Sequence, residues 1–408
     1  MLNKGKKILP LADQLIVSGA NFTLGILITR NIGVEGYGEF TMFWIIFLFL
    51  HGLFNAFIGL PAQVLSNSQP NKTEYLTRNN HLATVLLLII LPLLYLGFYV
   101  YTTWFNIELS NGIVLFPLVI VLYVKQEVNR KYFYAKEKIQ KVVTIDAVTY
   151  LSQILGIFIL SLQGELTLYT ILIVMTGAAV LGQITFYLIK EKATTSFSFY
   201  QMPVRVNWQY AKYLIGTSLL QWFSGNIMLT MAASLIGLSA VGAVRILQNI
   251  MGVLHVLFLT LENVVPVKAS FLLSNHSSVH MFTYLKKVTL FAGFLYAILL
   301  LVISFFGAEI IAFLYGSTYL TYLNAFYMFI GVYILVFVNT ILQILIKTLQ
   351  LNSGIFKAYI LSSITSLIIA YPLLMNFGVY GIVLGFGILQ IVNISMYLLT
   401  IKRDKLWA

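Results

Sequence analysis

The sequence has no cysteine and few charged residues. Of its 408 residues, 9% are charged and 60% are hydrophobic. Without cysteine there can be no disulfide, no thiolate metal site and no cysteine nucleophile. A soluble protein of this length needs far more charge to cover its surface. These shortages predict a membrane protein.

Motifs of common enzyme and metal sites are also missing. His276 and His280 are spaced H-x-x-x-H, but the sequence has no H-E-x-x-H motif and no G-x-x-x-x-G-K-[ST] loop. The longest polar stretch, about residues 190–212, is too short to fold alone. The predicted outer loops are short as well, and the longest, around 307–321, holds Glu309 as its one charged residue. We therefore expect no enzyme, no metal and no cofactor.

Apolar stretches long enough to cross a bilayer core of roughly 30 Å recur along the whole chain. They predict an all-α integral membrane protein with twelve transmembrane helices. The predicted spans are 8–29, 40–65, 81–103, 112–126, 142–162, 167–189, 211–232, 241–266, 287–306, 322–346, 355–375 and 379–401.

The basic residues predict the orientation. With the N-terminus in the cytoplasm, the inner loops hold all 25 lysines and arginines except Arg30 and Arg245. This is the positive-inside pattern, and it places both termini in the cytoplasm. The net charge of +12 then indicates contact with anionic inner-leaflet lipid and no nucleic-acid partner. The segment 125–141 is expected to bind inner-leaflet phosphates, or to collect a phosphate-bearing substrate.

An internal repeat divides the chain in half. Residues 32–54 align without gaps on residues 236–258. The identical pairs are Ile32/Ile236, Gly33/Gly237, Gly38/Gly242, Ile46/Ile250, Leu50/Leu254, His51/His255, Leu53/Leu257 and Phe54/Phe258. Because each half holds an even number of spans, the repeat is parallel. We predict an N-terminal lobe 1–189, a linker 190–210 and a C-terminal lobe 211–408, with the transport pathway between the lobes.

Polar side chains form a stripe on two predicted helices. On helix 1 the stripe consists of Gln14, Ser18, Asn21, Gly25 and Thr29. On helix 8 it consists of Arg245, Gln248, Gly252, His255 and Glu262. Because polar groups facing lipid lack partners, such stripes face a cavity or another helix. Simple helix packing is the alternative.

At these residues the chain resembles a known family. The run "ADQLIVSGANFTLGILITRNIGVEGYGEFTMF" (12–43), the twelve-span repeat and "LYGSTYLTYLNAFYMF" (314–329) are similar to the O-antigen and capsule polysaccharide flippases. These belong to the multidrug/oligosaccharidyl-lipid/polysaccharide (MOP) exporter superfamily. The resemblance implies a MATE-like, V-shaped pair of six-helix bundles in the bacterial cytoplasmic membrane. It also implies a lipid-linked oligosaccharide substrate, and a polysaccharide polymerase and membrane lipids as partners.

The resemblance also implies substrate-binding residues. In related lipid II flippases, arginines on the first and eighth helices hold the substrate diphosphate, and Arg30 and Arg245 lie on those helices here. Guanidinium groups supply the permanent, bidentate donors that a diphosphate requires. Gln14, Asn21 and Gln248 would line the same surface. The alternative for each arginine is a side chain that reaches the outer headgroups.

Five residues are candidates for ion coupling: Asp13, Glu39, His51, His255 and Glu262. The two histidines occupy equivalent repeat positions, and their pKa range suits proton transfer, although buried histidines are usually only hydrogen-bonded. Glu39 and Glu262 could instead balance Arg30 and Arg245. Asp13, like Asp146, lies near a helix end, where a carboxylate often caps backbone amides. A drug/cation antiporter of the same fold would carry an embedded acidic residue without a balancing arginine.

Overall fold

The computed structural model describes residues 4–105, 114–191 and 201–403, and within these ranges the chain is helical and contains no strand. The helices are α1 (Lys4–Phe54), α2 (Leu60–Leu65), α3 (Lys72–Phe105), α4 (Phe116–Ala135), α5 (Ile139–Gln163), α6 (Leu168–Ile189), α7 (Val204–Leu235), α8 (Leu238–Asn275), α9 (Ser278–Phe305), α10 (Gly307–Leu314), α11 (Leu323–Thr348) and α12 (Asn352–Lys402). A π-helical turn, Asn55–Gly59, joins α1 to α2.

The predicted twelve spans are confirmed as long helical segments. Eight helices in the described ranges are long and apolar enough to cross a membrane. Two of these, α1 and α12, are each broken into two segments, at Gly33 and Gly378, where φ is 77° and 54°. Adding α4 and α7, which are long but more polar, gives twelve. Glycine stands at both breaks because other residues are strained at positive φ.

The fourth span differs from the prediction in its length. The sequence predicts residues 112–126, followed by a basic loop, whereas α4 continues to Ala135. From its middle onwards α4 carries Lys125, Glu127 and Arg130, which lower its hydropathy. These charged side chains are accommodated because they have hydrogen-bond or ion-pair partners inside the protein, as described below.

Many large apolar side chains remain exposed. On α9, Phe291, Phe294 and Phe305 are 74%, 69% and 76% exposed. In water such surfaces cause aggregation, whereas in a bilayer they contact lipid tails. The pattern therefore supports a multi-pass membrane protein.

The chain forms two compact units. Unit 1 comprises Met1–Gly33 and Phe40–Trp222, and unit 2 comprises Val34–Glu39 and Phe223–Ala408. The sequence places the division in the linker 190–210, whereas the structure groups the first part of α7 with unit 1. Part of the linker, 192–200, lies outside the described residues.

The glycines of the repeat have matching roles in the structure. Gly33 and Gly237 both adopt positive φ, 77° and 98°. Within unit 2, a Cβ on Gly38 would lie 2.0 Å from the Leu238 carbonyl oxygen, and a Cβ on Gly242 would lie 1.9 Å from the Val34 carbonyl oxygen. The two contacts are exchanged by the repeat, so the two helical segments cross symmetrically, backbone against backbone.

Candidate functional site

An arginine whose side chain is 12% exposed lies at the centre of a group of acidic side chains in unit 1. Arg130 on α4 contacts Asp13 on α1 (Nη2–Oδ2, 2.8 Å), Glu127 on α4 (Nη1–Oε1, 2.6 Å) and Asp146 on α5 (Nε–Oδ2, 2.7 Å). Asp13 and Asp146 are 1% and 0% exposed. We call Asp13, Glu127, Arg130 and Asp146 the unit 1 ionic cluster. Three carboxylates contact one guanidinium here, so the acidic groups of the cluster outnumber its basic group.

Neighbouring polar groups complete this cluster. The Tyr134 hydroxyl donates to Asp13 Oδ2 at 2.7 Å, and Gln126 Nε2 donates to Asp146 Oδ1 at 3.1 Å. Asp13 also lies within hydrogen-bonding reach of Asp146. In the described part of the chain, Asp13 Oδ1 is buried without a donor.

These contacts change the interpretation of both aspartates. The sequence favours a capping role, because each lies near a predicted helix end. The structure places Asp13 and Asp146 inside their helices, with both carboxylates on Arg130. The capping expectation is therefore wrong, because the packing of α1 and α5 against α4 brings the aspartates to a buried guanidinium.

His51 joins the edge of the same cluster. Its Nε2 atom lies 3.6 Å from Glu127 Oε2, and its ring stacks on Phe47 with the ring centroids 5.7 Å apart. The side chain is 33% exposed. A protonated His51 would therefore add a positive charge next to a carboxylate that already contacts Arg130.

The basic segment 125–141 is more deeply buried than its composition predicts. The Lys125 ammonium donates to the Asn80 carbonyl oxygen, to Asn80 Oδ1 and to Thr84 Oγ1, at 3.1, 2.7 and 2.8 Å. The charged groups of both Lys125 and Arg130 therefore contact residues inside unit 1. The expectation that the whole segment contacts lipid phosphate is wrong for these two residues.

In unit 2, Arg245 on α8 has neutral partners. Its Nη1 atom donates to Gln248 Oε1 at 2.9 Å, one turn along the same helix. The Tyr37 side chain is hydrogen-bonded to the same guanidinium. Arg245 is half-buried, and no carboxylate forms an ion pair with it within the described ranges. The guanidinium is thus oriented but not neutralised.

His255 lies on the same helix, and Arg245 is close enough to influence it electrostatically. Its Nε2 atom is 3.3 Å from the Tyr333 hydroxyl on α11. Glu262, further along α8, is 3.3 Å from the Lys347 ammonium. Glu262 therefore balances Lys347, and the expectation that it balances Arg245 is wrong.

The remaining predicted residues lie on or near the first segment of α1. Gln14 is half-buried and its Nε2 atom donates to Ser18 Oγ at 2.9 Å. Asn21 and Arg30 are exposed, and Arg30 lies three residues before the break at Gly33. Glu39, half-buried, is the last residue of the short segment that joins unit 2.

Several residues of these sites are not singled out by the sequence pattern. The sequence predicts that Arg130 and Glu127 belong to a basic loop, although their spacing of three would place them on one face of a helix. Tyr37 and Lys347 carry no local signal, because their partners come from distant segments. The available signal was the three-residue spacing of Glu127 and Arg130, which places both on one face if α4 continues to Ala135.

No family model and no curated protein matches the chain. Solved structures do match it. The inward-facing conformation of a multidrug resistance MATE family transporter of the MOP superfamily has a TM-score of 0.78 and 12% identity, covering 96% of this chain and 94% of that one. Lipid II flippase MurJ, inward closed, has a TM-score of 0.73 and 14% identity, covering 99% and 89%.

A MOP superfamily transporter from Pyrococcus furiosus is also similar, with a TM-score of 0.64 and 10% identity over 97% of this chain and 94% of that one. The chain therefore has the same MATE-like fold as these transporters. At these identities the likeness establishes the fold. It confirms the predicted fold class, and it leaves the substrate to be argued from the residues of this chain.

Proposed function

We propose that this protein is a flippase that moves undecaprenyl-diphosphate-linked oligosaccharide repeat units from the inner to the outer leaflet by alternating access. The proposal places it in the bacterial cytoplasmic membrane, with both termini in the cytoplasm and a polysaccharide polymerase as a functional partner. The observation that carries it is the Arg245 guanidinium, which is oriented by neutral side chains and lacks a carboxylate partner in the described ranges.

The chemistry of Arg245 favours an anionic ligand. A half-buried charge in a membrane helix is costly unless something compensates it, by a few kcal/mol on insertion scales. Gln248 and Tyr37 supply hydrogen bonds to the guanidinium but no negative charge. A diphosphate would supply both, through charge-assisted hydrogen bonds worth about 1.5–3 kcal/mol each. In this proposal Arg30, Gln14 and Asn21 line the substrate path on α1.

The unit 1 ionic cluster supports a flippase over a drug antiporter. An antiporter for cationic drugs needs an embedded carboxylate that can exchange its ion for the drug. Here Asp13, Glu127 and Asp146 all contact Arg130, which holds them in fixed positions. A bulky organic cation would have to displace this guanidinium.

We assign ion coupling to the same cluster, with His51 at its edge. Because three carboxylates face one guanidinium, uptake of a proton or small cation would neutralise charge without moving Arg130. The His255–Tyr333 pair is the corresponding candidate in unit 2. Glu39 and Glu262 are the weaker candidates, since Glu262 already has Lys347 as its partner.

The second candidate is a MATE-type drug/cation antiporter. The similarity in fold to the MATE family transporter, with a TM-score of 0.78, favours it. The two functions differ in the sign of the substrate charge. Measurements on Arg245 therefore separate them.

The test compares Arg245→Ala, Arg245→Lys and the unchanged protein. Arg245→Ala should insert normally but bind undecaprenyl diphosphate at least ~10-fold more weakly, because charge-assisted hydrogen bonds are lost. Arg245→Lys should bind with intermediate affinity, since it keeps the charge and loses the bidentate fork. Binding is measured on purified protein by native mass spectrometry, and export of surface polysaccharide is measured in cells.

The matched control is Arg205→Ala, which removes an exposed arginine near the start of α7. It should change neither binding nor export. Wild-type binding and export by a well-expressed Arg245→Ala protein would refute the proposal. Extrusion of a cationic dye that survives Arg245→Ala and is lost in Asp13→Asn would establish the antiporter instead.

A further inference from the structure

Four lysines of unit 1 converge at one end of α4, α5 and α6. Lys136 and Lys138 lie in the turn between α4 and α5, Lys141 lies in the first turn of α5, and Lys190 directly follows α6. The positive-inside rule assigns this end to the cytoplasm. We call these four residues the lysine cluster. They are separate from Lys125 and Arg130, whose charged groups contact polar and acidic side chains inside unit 1.

Aromatic rings hold the ammonium groups of the lysine cluster together. Lys136 Nζ lies 5.0 Å from the centre of the Tyr132 ring, and Lys190 Nζ lies 5.5 and 5.6 Å from the Tyr132 and Phe186 rings. Lys141 Nζ is 5.4 Å from the Phe133 ring. These buried rings form a rigid base that favours cations above it.

The four lysines carry more positive charge than the neighbouring carboxylates balance. Glu191 is the carboxylate that contacts the cluster, 2.8 Å from Lys136 and also paired with Lys138. Glu137, in the same turn, is exposed. Burial and, second, the neighbouring Lys136 charge lower the pKa of Lys190. Positive charges are therefore crowded here, and an additional anion would relieve their repulsion.

A surface suited to lipid tails begins beside these lysines. Along the last turns of α6, Ile184, Tyr187 and Leu188 are 50%, 58% and 79% exposed. Lys190 comes two residues after Leu188. A lipid lying along this face of α6 would have its phosphate at the height of the lysine cluster.

We infer that the lysine cluster is a binding site for the phosphate headgroup of an anionic bilayer lipid in the cytoplasmic leaflet, with the acyl chains along α6. The cationic groups, their aromatic base and the adjoining apolar face all match that amphipathic ligand. An isolated soluble anion would use the lysines alone. This site is independent of Arg245 and of the proposed transported substrate.

The test measures lipid retention by the purified full-length protein in native mass spectrometry. The probes are dioleoyl phosphatidylglycerol, which is anionic, and dioleoyl phosphatidylcholine, which carries no net charge. In Lys136→Gln/Lys138→Gln/Lys190→Gln, the affinity for phosphatidylglycerol should fall about tenfold, because each lysine contributes to the attraction of the anionic headgroup. Affinity for phosphatidylcholine should not change. Replacement of the same residues by Arg should restore binding.

The matched control is Lys286→Gln/Lys287→Gln/Lys402→Gln, which removes three exposed lysines that the positive-inside rule places on the same membrane side. It should retain phosphatidylglycerol within about twofold. An equal loss in both triple variants would show a general surface potential and overturn the site. Displacement of bound phosphatidylglycerol by inorganic phosphate would overturn the bilayer-lipid assignment. A site that binds undecaprenyl diphosphate and does not bind phosphatidylglycerol would overturn it as well. Equal melting temperatures of the two triple variants confirm that folding is intact.

Discussion

The two units hold their internal charges in different ways. In unit 1, Arg130 is 12% exposed and contacts three carboxylates from three helices, two of which are almost fully inaccessible. In unit 2, Arg245 is half-buried with neutral partners, and the Glu262–Lys347 pair is about one-third exposed on each side. Paired charges in the interior resist rearrangement, whereas Arg245, with no ion-pair partner among the described residues, is the residue that we propose binds an anion.

The difference also separates two roles that a single chain must combine. In the function that we propose, unit 1 contributes the ion-coupling residues and unit 2 contributes Arg245, which binds the substrate anion. Both arise from repeats that align at Gly33/Gly237 and Gly38/Gly242. Arg245 lies inside the aligned stretch, opposite Thr41, whereas Asp13, Arg130 and Asp146 lie outside it.

The largest expected effect is on unit 1. Arg130→Ala should lower the free energy of unfolding by about 3–5 kcal/mol, because it leaves buried carboxylates without a counterion. Thermal and denaturant unfolding in detergent measure the change, with Arg205→Ala as the exposed control. Adding Asp146→Asn to Arg130→Ala should recover part of the loss. No recovery would mean that the arginine acts through packing and not through charge.

The next effect tests the symmetry of the repeats. Gly38→Ala and Gly242→Ala should each reduce stability by about 1–3 kcal/mol, because the new Cβ would meet a backbone oxygen that cannot easily move. Gly252→Ala is the control, since its Cβ would have no neighbour within 4 Å. The same unfolding measurements apply. Clearly unequal losses at the two positions would contradict the symmetric crossing.

The smallest effect is expected at the exposed pair of unit 2. Glu262→Gln should change the free energy of unfolding by less than about 1 kcal/mol, because solvent already screens the Glu262–Lys347 interaction. Asp146→Asn provides the comparison in unit 1, where burial makes the same chemical change more costly. If the two substitutions had equal effects on unfolding, the contrast between the units would be refuted.

Orientation can be tested independently of stability. A reporter fused after Asn111 should be external, and one fused after Ser198 should be cytoplasmic, because the basic residues lie almost entirely on one predicted side. Both fusion points lie outside the described residues. A reporter that reads the same side at both points would contradict the predicted topology.

Sequence reasoning was strongest where the signal is local. Span length, hydropathy and charge are properties of neighbouring residues, so the helix count and fold class followed from them. The repeat located glycines whose backbone conformations match in the structure. The extent of α4 was missed because its charged second half resembles a loop until its partners are known.

The sequence by itself determined that this is a helical membrane protein with twelve spans and a repeated half, because a bilayer imposes length and polarity on each segment separately. Tertiary structure alone decided which charges meet. Arg130 and Asp13 are 117 residues apart in the chain, and Glu262 and Lys347 are 85 apart. Such pairs form through the packing of whole helices, and no local pattern records which faces those helices present to each other.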